Sequence, residues 1–483
     1  MRPVDGENGQ HGVIRRQGQE LGDFARHDLG LPGGKAKRWL LLACGEILAI
    51  GFLFAPDART HLTITLGLYA AGSLLALSAA RSLSGSGPRF LLLAAALFRA
   101  TLCFRAPDLS DDSARYVWDA SVARQGISPY AFAPDDPAVS GVAPTRSASL
   151  PHADVRTVYP PVAQAAFRAG GMLGAGVWPL KALFAAADVS VVALILALGG
   201  PGAGFGAALY AFHPLAILES AGQGHLDALG VALLLASLVY LERRRPGRAG
   251  VAFALSLLTK YVCAFAAIPL IKRGRLRFFA AGLAVAAAIW IASIRGGVLP
   301  VGGLADYASR WEFNAAAYPA LTAMFDRGDV PAAAKTAFLS LKERLGHPRW
   351  TERLFPFFYA GFFARAVLAV LLGAALIVIG WRVRRTEAAV FASLAALLLA
   401  SPTLHPWYLL WVLPFAARRR EPAFLYLSFS VALSYALLDP ARWLPAGLIA
   451  FLEYGPFFVL LARTLVRSFA SRRETSIAVE RAA

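Results

Sequence analysis

About a dozen apolar runs, separated by short loops dense in arginine, constrain this chain more than any other feature. They lie near 39–55, 62–80, 90–104, 180–199, 203–218, 226–241, 276–294, 359–381, 387–402, 405–417, 422–438 and 443–462. A helix needs roughly 20 apolar residues to cross a bilayer, and several of these runs fall near or below that length. Only helices and closed barrels satisfy their backbone groups in lipid. Charged residues make up 16% of the chain, against about 25% in a soluble domain. The expectation is an all-α polytopic membrane protein.

The basic loops orient it. Lys35 to Arg38, Arg81 to Arg89, Arg243 to Arg248, Lys272 to Arg277, Arg382 to Arg385, Arg418 to Arg420 and the tail from Arg463 all fall on one side if 105–179 is a single loop on the other. Basic loops mark the cytoplasmic face. Both termini are then cytoplasmic, and 105–179 and 295–358 are outer loops. Residues 1–37 read as a disordered tail, 38–463 as one transmembrane domain and 464–483 as a basic tail. The net charge of +18 resides largely in these loops, so it is a topology signal and does not point to nucleic acid. Cys44, Cys103 and Cys263 sit inside apolar runs as small core residues.

Two segments need separate treatment. Ala249 to Ile271 is apolar, yet both flanks are basic. Parity predicts a hairpin of two short helices, broken near Thr259-Lys260-Tyr261; the alternative is one helix with a snorkelling lysine. The total is 12 to 14 helices. Residues 160–176 open on Pro-Pro and read as a helix lying on the membrane surface.

The polar motifs then gather on the outer face. The stretch Asp108 to Asp119 leads, followed by Tyr159-Pro-Pro161, Glu219 to Asp227, Lys260, Arg295 and His405. Carboxylates at a membrane boundary are costly and commonly functional. Asp111 and Asp112 fit either a helix N-terminus or a general base. Arg115, one turn on, fits an orienting or phosphate-binding role; Asp119 reads as structural. His225 and Asp227 do not share a helical face, although a loop can converge them. A metal there lacks a clear third ligand. His405 sits between prolines beside Trp407 and Tyr408, an interfacial pair. Lys260, in an apolar run, needs an anionic partner. Walker, Rossmann and Gly-x-Ser-x-Gly motifs are absent, so a cytoplasmic nucleotide is not the expected energy source.

These residues resemble the GT-C class of integral-membrane glycosyltransferases, and within it bacterial mannosyltransferase-type members. The resemblance rests on Asp-Asp-x-x-Arg-Tyr-x-Trp-Asp (111–119), Gly-Ile-x-Pro-Tyr (126–130) and Tyr-Pro-Pro-x-Ala-Gln (159–164). It continues through His-Pro-Leu-Ala-Ile-Leu-Glu-Ser-Ala-Gly-x-Gly-His-x-Asp-Ala (213–228) and Thr-Lys-Tyr (259–261). It covers roughly 90–275. Leu226 and Ala120 stand where such proteins often carry Asn and Gly, which weakens a metal at the second motif. The resemblance implies a bacterial inner-membrane enzyme with its site on the periplasmic face. It would move a hexose such as mannose, with inversion, from a polyprenyl-phosphate donor to a lipid or glycan acceptor. Asp112, with Asp111 in reserve, would be the general base. Arg115, Tyr116, Tyr159, His225, Asp227, Lys260, Arg295 and His405 would bind substrate. No cofactor is required, although a divalent cation is compatible. A lipid-linked sugar flippase is the competing reading. Acids gathered in one outer loop, and the lack of an evident inverted repeat, weigh against it.

Overall fold

The computed structural model describes residues 34–142, 150, 152–294, 296–438 and 444–482, with side chains through Arg467. Most of the expected N-terminal tail, the C-terminal tail's side chains and Arg295 therefore lie outside the described residues. The chain divides into two compact units, Met1–Cys44 and Gly45–Ala483. Of the first, residues 34–44 are described, and they open the helix Gly34–Phe54. The second unit holds the rest of the fold.

Among the described residues the regular structure is helical, apart from one parallel bridge between Phe313 and Thr403. Five helices are long and apolar enough to cross a membrane: Leu62–Leu83, Trp178–Leu198, Tyr261–Ala292, Ala360–Arg382 and Ala446–Arg467. A bent pair, Pro214–Gly222 with Asp227–Glu242, makes a sixth if counted as one span. These counts are by length and composition among the described residues, and they agree with the polytopic all-α fold expected. The apolar runs are present, but several fold as shorter helices, namely Ala203–Phe212, Thr386–Ala400 and Pro422–Leu437. Proline sets many of the starts, as at Pro88, Pro161, Pro246 and Pro422. It suits a first helical turn, where its missing N–H leaves no bond unmade.

Two breaks position the polar residues. The first divides the bent pair. His213 caps a short helix by accepting from the Leu215 N–H, a π-helical turn follows at Leu218–Gly222, and the chain then bends by 118° into Asp227–Glu242. Gly224 makes the turn at φ +78°, and a Cβ there would come within 2.9 Å of the Lys181 side chain. Only glycine fits both demands.

The second break falls at Lys260, where the hairpin reading expected it. The helix Pro246–Thr259 ends, Lys260 is extended at φ −155° and ψ 130°, and a 3₁₀ turn follows at Tyr261–Ala266. The returning helix Ala267–Ala292 is itself interrupted at Arg275 (φ 54°, ψ −151°), inside the basic run 272–277. The two arms pack against each other, and Pro246–Thr259 also packs on Asp227–Glu242. At the crossing a Cβ on Gly250 would lie 2.1 Å from the Phe278 carbonyl oxygen, so the backbones touch.

The segment 105–179 carries two packed helices, Asp112–Arg124 and Pro161–Leu173. Their shared core is Tyr116, Ala120, Ala163, Phe167, Leu180, Phe184 and Leu226. The segment read as a loop at 295–358 is itself largely helical: Leu304–Arg310, Tyr318–Arg327, Val330–Arg344 and the 3₁₀ helix Arg349–Phe357.

Candidate active site

Asp112 opens the helix Asp112–Arg124, and its N–H donates to the Ser110 hydroxyl. The bend after Gly222 brings His225 alongside. His225 Nδ1 stands 3.7 Å from an Asp112 carboxylate oxygen, and Nε2 stands 3.3 Å from a Glu219 oxygen. The His225 N–H also donates to the Glu219 carbonyl, which fixes the loop against the π turn. Two residues after His225 comes a second pair: Lys260 Nζ donates to Asp227 Oδ1 at 2.7 Å, and so does the Trp411 indole N–H. The extended backbone at Lys260 is what aims the lysine there. Gly230 leaves room for Trp411, since a Cβ at that position would sit 2.6 Å from its ring.

Aromatic rings wall the cluster. His225 stacks on Trp407 with centroids 3.8 Å apart, Trp407 on His405 at 4.4 Å, and His405 on Phe313 at 4.5 Å. Lys260 lies 4.3 Å above the Tyr408 ring, a favourable cation–π placement. Tyr408 in turn shares a hydrogen bond with Tyr307. The bridge at Phe313, where its N–H donates to Pro402 and its carbonyl accepts from Leu404, couples this wall to the segment after 296.

Access separates the carboxylates. The Asp112 side chain keeps 37% of its surface open, whereas those of Glu219 and Asp227 are closed and that of His225 is at 1%. Protein nevertheless surrounds Asp112 on its other sides. Burial raises its carboxyl from the ordinary 3.8 to about 6 against the pull of Lys260, with Asp227 and Asp111 adding to the rise and the Tyr159 hydroxyl opposing it. A carboxylate tuned near the working pH is well matched to general base catalysis.

The remaining sequence-selected residues divide clearly. Asp111 occupies the N-cap position without a capping hydrogen bond and pairs instead with Arg59 at 2.9 Å, largely exposed. Arg115 turns from Asp112 to Asp119 (3.1 Å) and the Val155 carbonyl. Asp119, fully buried, also accepts from Thr157 and Gln164, the structural place expected for it. Arg115 thus braces its own helix against the segment at Val155, and its Nη2 is buried without a hydrogen-bond partner among the described residues. Tyr116 is buried face to face with Phe167, centroids 4.4 Å apart, and edge-on to Tyr159. It packs the helix and presents no free face to a substrate. Each His225 ring nitrogen faces a carboxylate, Asp112 on one side and Glu219 on the other, and neither nitrogen has a hydrogen-bond partner among the described residues. Among the described residues no group of three or more His, Cys, Asp or Glu is placed to hold a metal ion.

Three residues escaped the sequence reading. Glu219 stands in the sequence as one residue of its motif, yet a carboxylate inside an apolar run is the same signal that singles out Lys260. Trp411, the second donor to Asp227, is indistinguishable from a core tryptophan in sequence. Gln223 ties the two motifs together. Its carbonyl oxygen accepts from the Asp108 and Leu109 N–H groups and its amide donates to Asp108. Arg105 also holds Asp108, and Lys181 donates to the Arg105 carbonyl. Gln223→Ala strips three hydrogen bonds from the strap leading to Asp112. The expected cost is about 1–3 kcal/mol, read as a lower thermal midpoint, with kcat falling as Asp112 loses its register.

A helical membrane protein with an open carboxylate beside closed ones, a buried acid–lysine pair and an aromatic wall has the makings of a membrane-embedded transferase. The family model of glycosyltransferase family 87 matches residues 157–402, and the chain belongs to that family of GT-C-type membrane glycosyltransferases. The match includes Tyr159, Glu219, His225, Asp227 and Lys260; Asp112 precedes it and His405 follows it. No curated protein and no solved structure matches the chain.

Proposed function

We propose that this glycosyltransferase takes its sugar, mannose or another hexose, from a polyprenyl-phosphate donor. The acceptor is a lipid or glycan at the outer face of a bacterial inner membrane, and the anomeric carbon is inverted. The observation that carries the reading is the access gradient: among the carboxylates of its cluster Asp112 alone has an open side, and it feels the charge of a lysine anchored by Asp227. Asp112 takes the proton of the acceptor hydroxyl as its oxygen attacks the anomeric carbon. The sugar–phosphate bond breaks with its electron pair leaving on the lipid phosphate. Lys260, with two N–H groups beyond the one given to Asp227, meets the charge that develops there; His405 and Arg295 are further contributors in this reading.

The test is a transfer assay with purified protein offered a labelled polyprenyl-phosphate hexose or the matching nucleotide sugar. The expected result is product from the lipid donor alone. Product from the nucleotide sugar alone would overturn the donor assignment.

A further inference from the structure

We infer that Glu219 is a positioning residue that, as an un-ionised acid, fixes the tautomer of His225 and thereby orients Asp112. The inference rests on Asp112 being the base, as proposed above. Glu219 is fully enclosed, and neither carboxylate oxygen has a hydrogen-bond partner among the described residues; the same holds for both His225 ring nitrogens. Yet the three groups stand in a row, Asp112 to Nδ1 at 3.7 Å and Nε2 to Glu219 at 3.3 Å. Buried polar atoms without partners demand an explanation, and a row of three mutually facing groups supplies one.

The proton count follows from burial. An isolated carboxylate in a closed, apolar place is far costlier than its acid, so the one negative charge of the row belongs on Asp112, which has an open side. An un-ionised Glu219 has an O–H to donate, and the only ring nitrogen facing it is Nε2. A neutral imidazole that accepts at Nε2 carries its proton at Nδ1. That N–H faces Asp112 Oδ2 and favours the ionised carboxylate. The Trp407 ring, stacked 3.8 Å from His225 at 15°, keeps the imidazole in the plane the row needs. The other charged or titratable groups around the row are Tyr69, Asp108, Asp111, Asp227, Lys260, His405, Tyr116, Tyr159, Tyr307 and Tyr408.

The decisive comparison is Glu219→Leu against Glu219→Gln, whose amide N–H can replace the acid proton. Glu219→Leu is expected to lower kcat about tenfold to a hundredfold with KM unchanged. Its acid limb should move to higher pH, because Asp112 loses the N–H that favours its ionised form. Glu219→Gln should recover most of that loss. A residue that only fills space would leave the pH profile in place. Glu219→Leu with wild-type kcat and profile, or Glu219→Gln as inactive as Glu219→Leu, overturns the inference. The infrared spectrum reads the acid with no donor present and in the folded wild type. A protonated carboxyl band at neutral pH that disappears in Glu219→Gln is expected, and its absence overturns the inference. Wild-type protein that shows the band but makes no product from the lipid donor instead overturns the proposed function, so the two failures are distinguishable.

Discussion

Asp112→Asn should abolish sugar transfer, lowering kcat by about 10²- to 10⁴-fold while KM for the donor stays within a few-fold. The asparagine keeps the shape and the helix start but has no lone pair basic enough to take the acceptor proton. In the wild type the same carboxyl, raised to about 6 by burial, sets the acid limb: kcat/KM should climb as pH rises through about 6. Stability moves the other way. A carboxyl raised in the folded state binds its proton more tightly there than when unfolded, so its stabilising contribution is present at low pH and is lost as pH rises through about 6. Asp112→Asn should therefore melt no lower than wild type at neutral pH, and higher if that linkage is felt. Inactivity joined to an undiminished thermal midpoint marks a chemical role; an inactive variant that also melts early marks a structural one. Full turnover in Asp112→Asn would remove the base from Asp112.

The class of fold was legible because bilayer solvation leaves so few options. Apolar runs and arginine loops marked most of the helices, and the lysine at 260 located the hairpin break. What the sequence concealed was length. Glycine and proline cut runs such as 203–218 into pieces whose ends depend on packing, as at His213 and Gly224, and no periodicity records that. In the site, residue types carried Asp112, His225, Asp227 and Lys260 but not their pairing. Arg115 stands three residues from Asp112 and four from Asp119, and spacing on a helix favours both. The buried hydroxyl and amide of Thr157 and Gln164, brought by another segment, hold Asp119 where Arg115 meets it. Trp407 and Tyr408 read as an interfacial belt, yet their rings are spent on His225, His405 and Lys260. A belt and a site wall have the same composition; only tertiary contact tells them apart.

The lysine–aspartate pair permits a sharper separation of stability from chemistry. Lys260→Met leaves Asp227, with a fully closed side chain, facing one indole N–H. Removing one partner of a buried ion pair costs about 3–5 kcal/mol, so the variant should melt markedly early or fail to accumulate. Adding Asp227→Asn cancels the stranded charge, and the Trp411 N–H still has an oxygen to meet. The double variant should regain most of the lost stability, as exchanging a buried pair for neutral groups often does. Turnover should not return with it. The cation that meets the leaving phosphate is gone, and losing one preorganised donor typically costs about 10²- to 10³-fold in kcat. Thermal midpoints and initial rates of the two single variants and the double decide the matter. Recovery of both in the double variant would reduce Lys260 to a counter-ion for Asp227. Recovery of stability alone places its charge in the chemistry, where it acts on the leaving phosphate and on the Asp112 carboxyl that it pulls toward the ionised form.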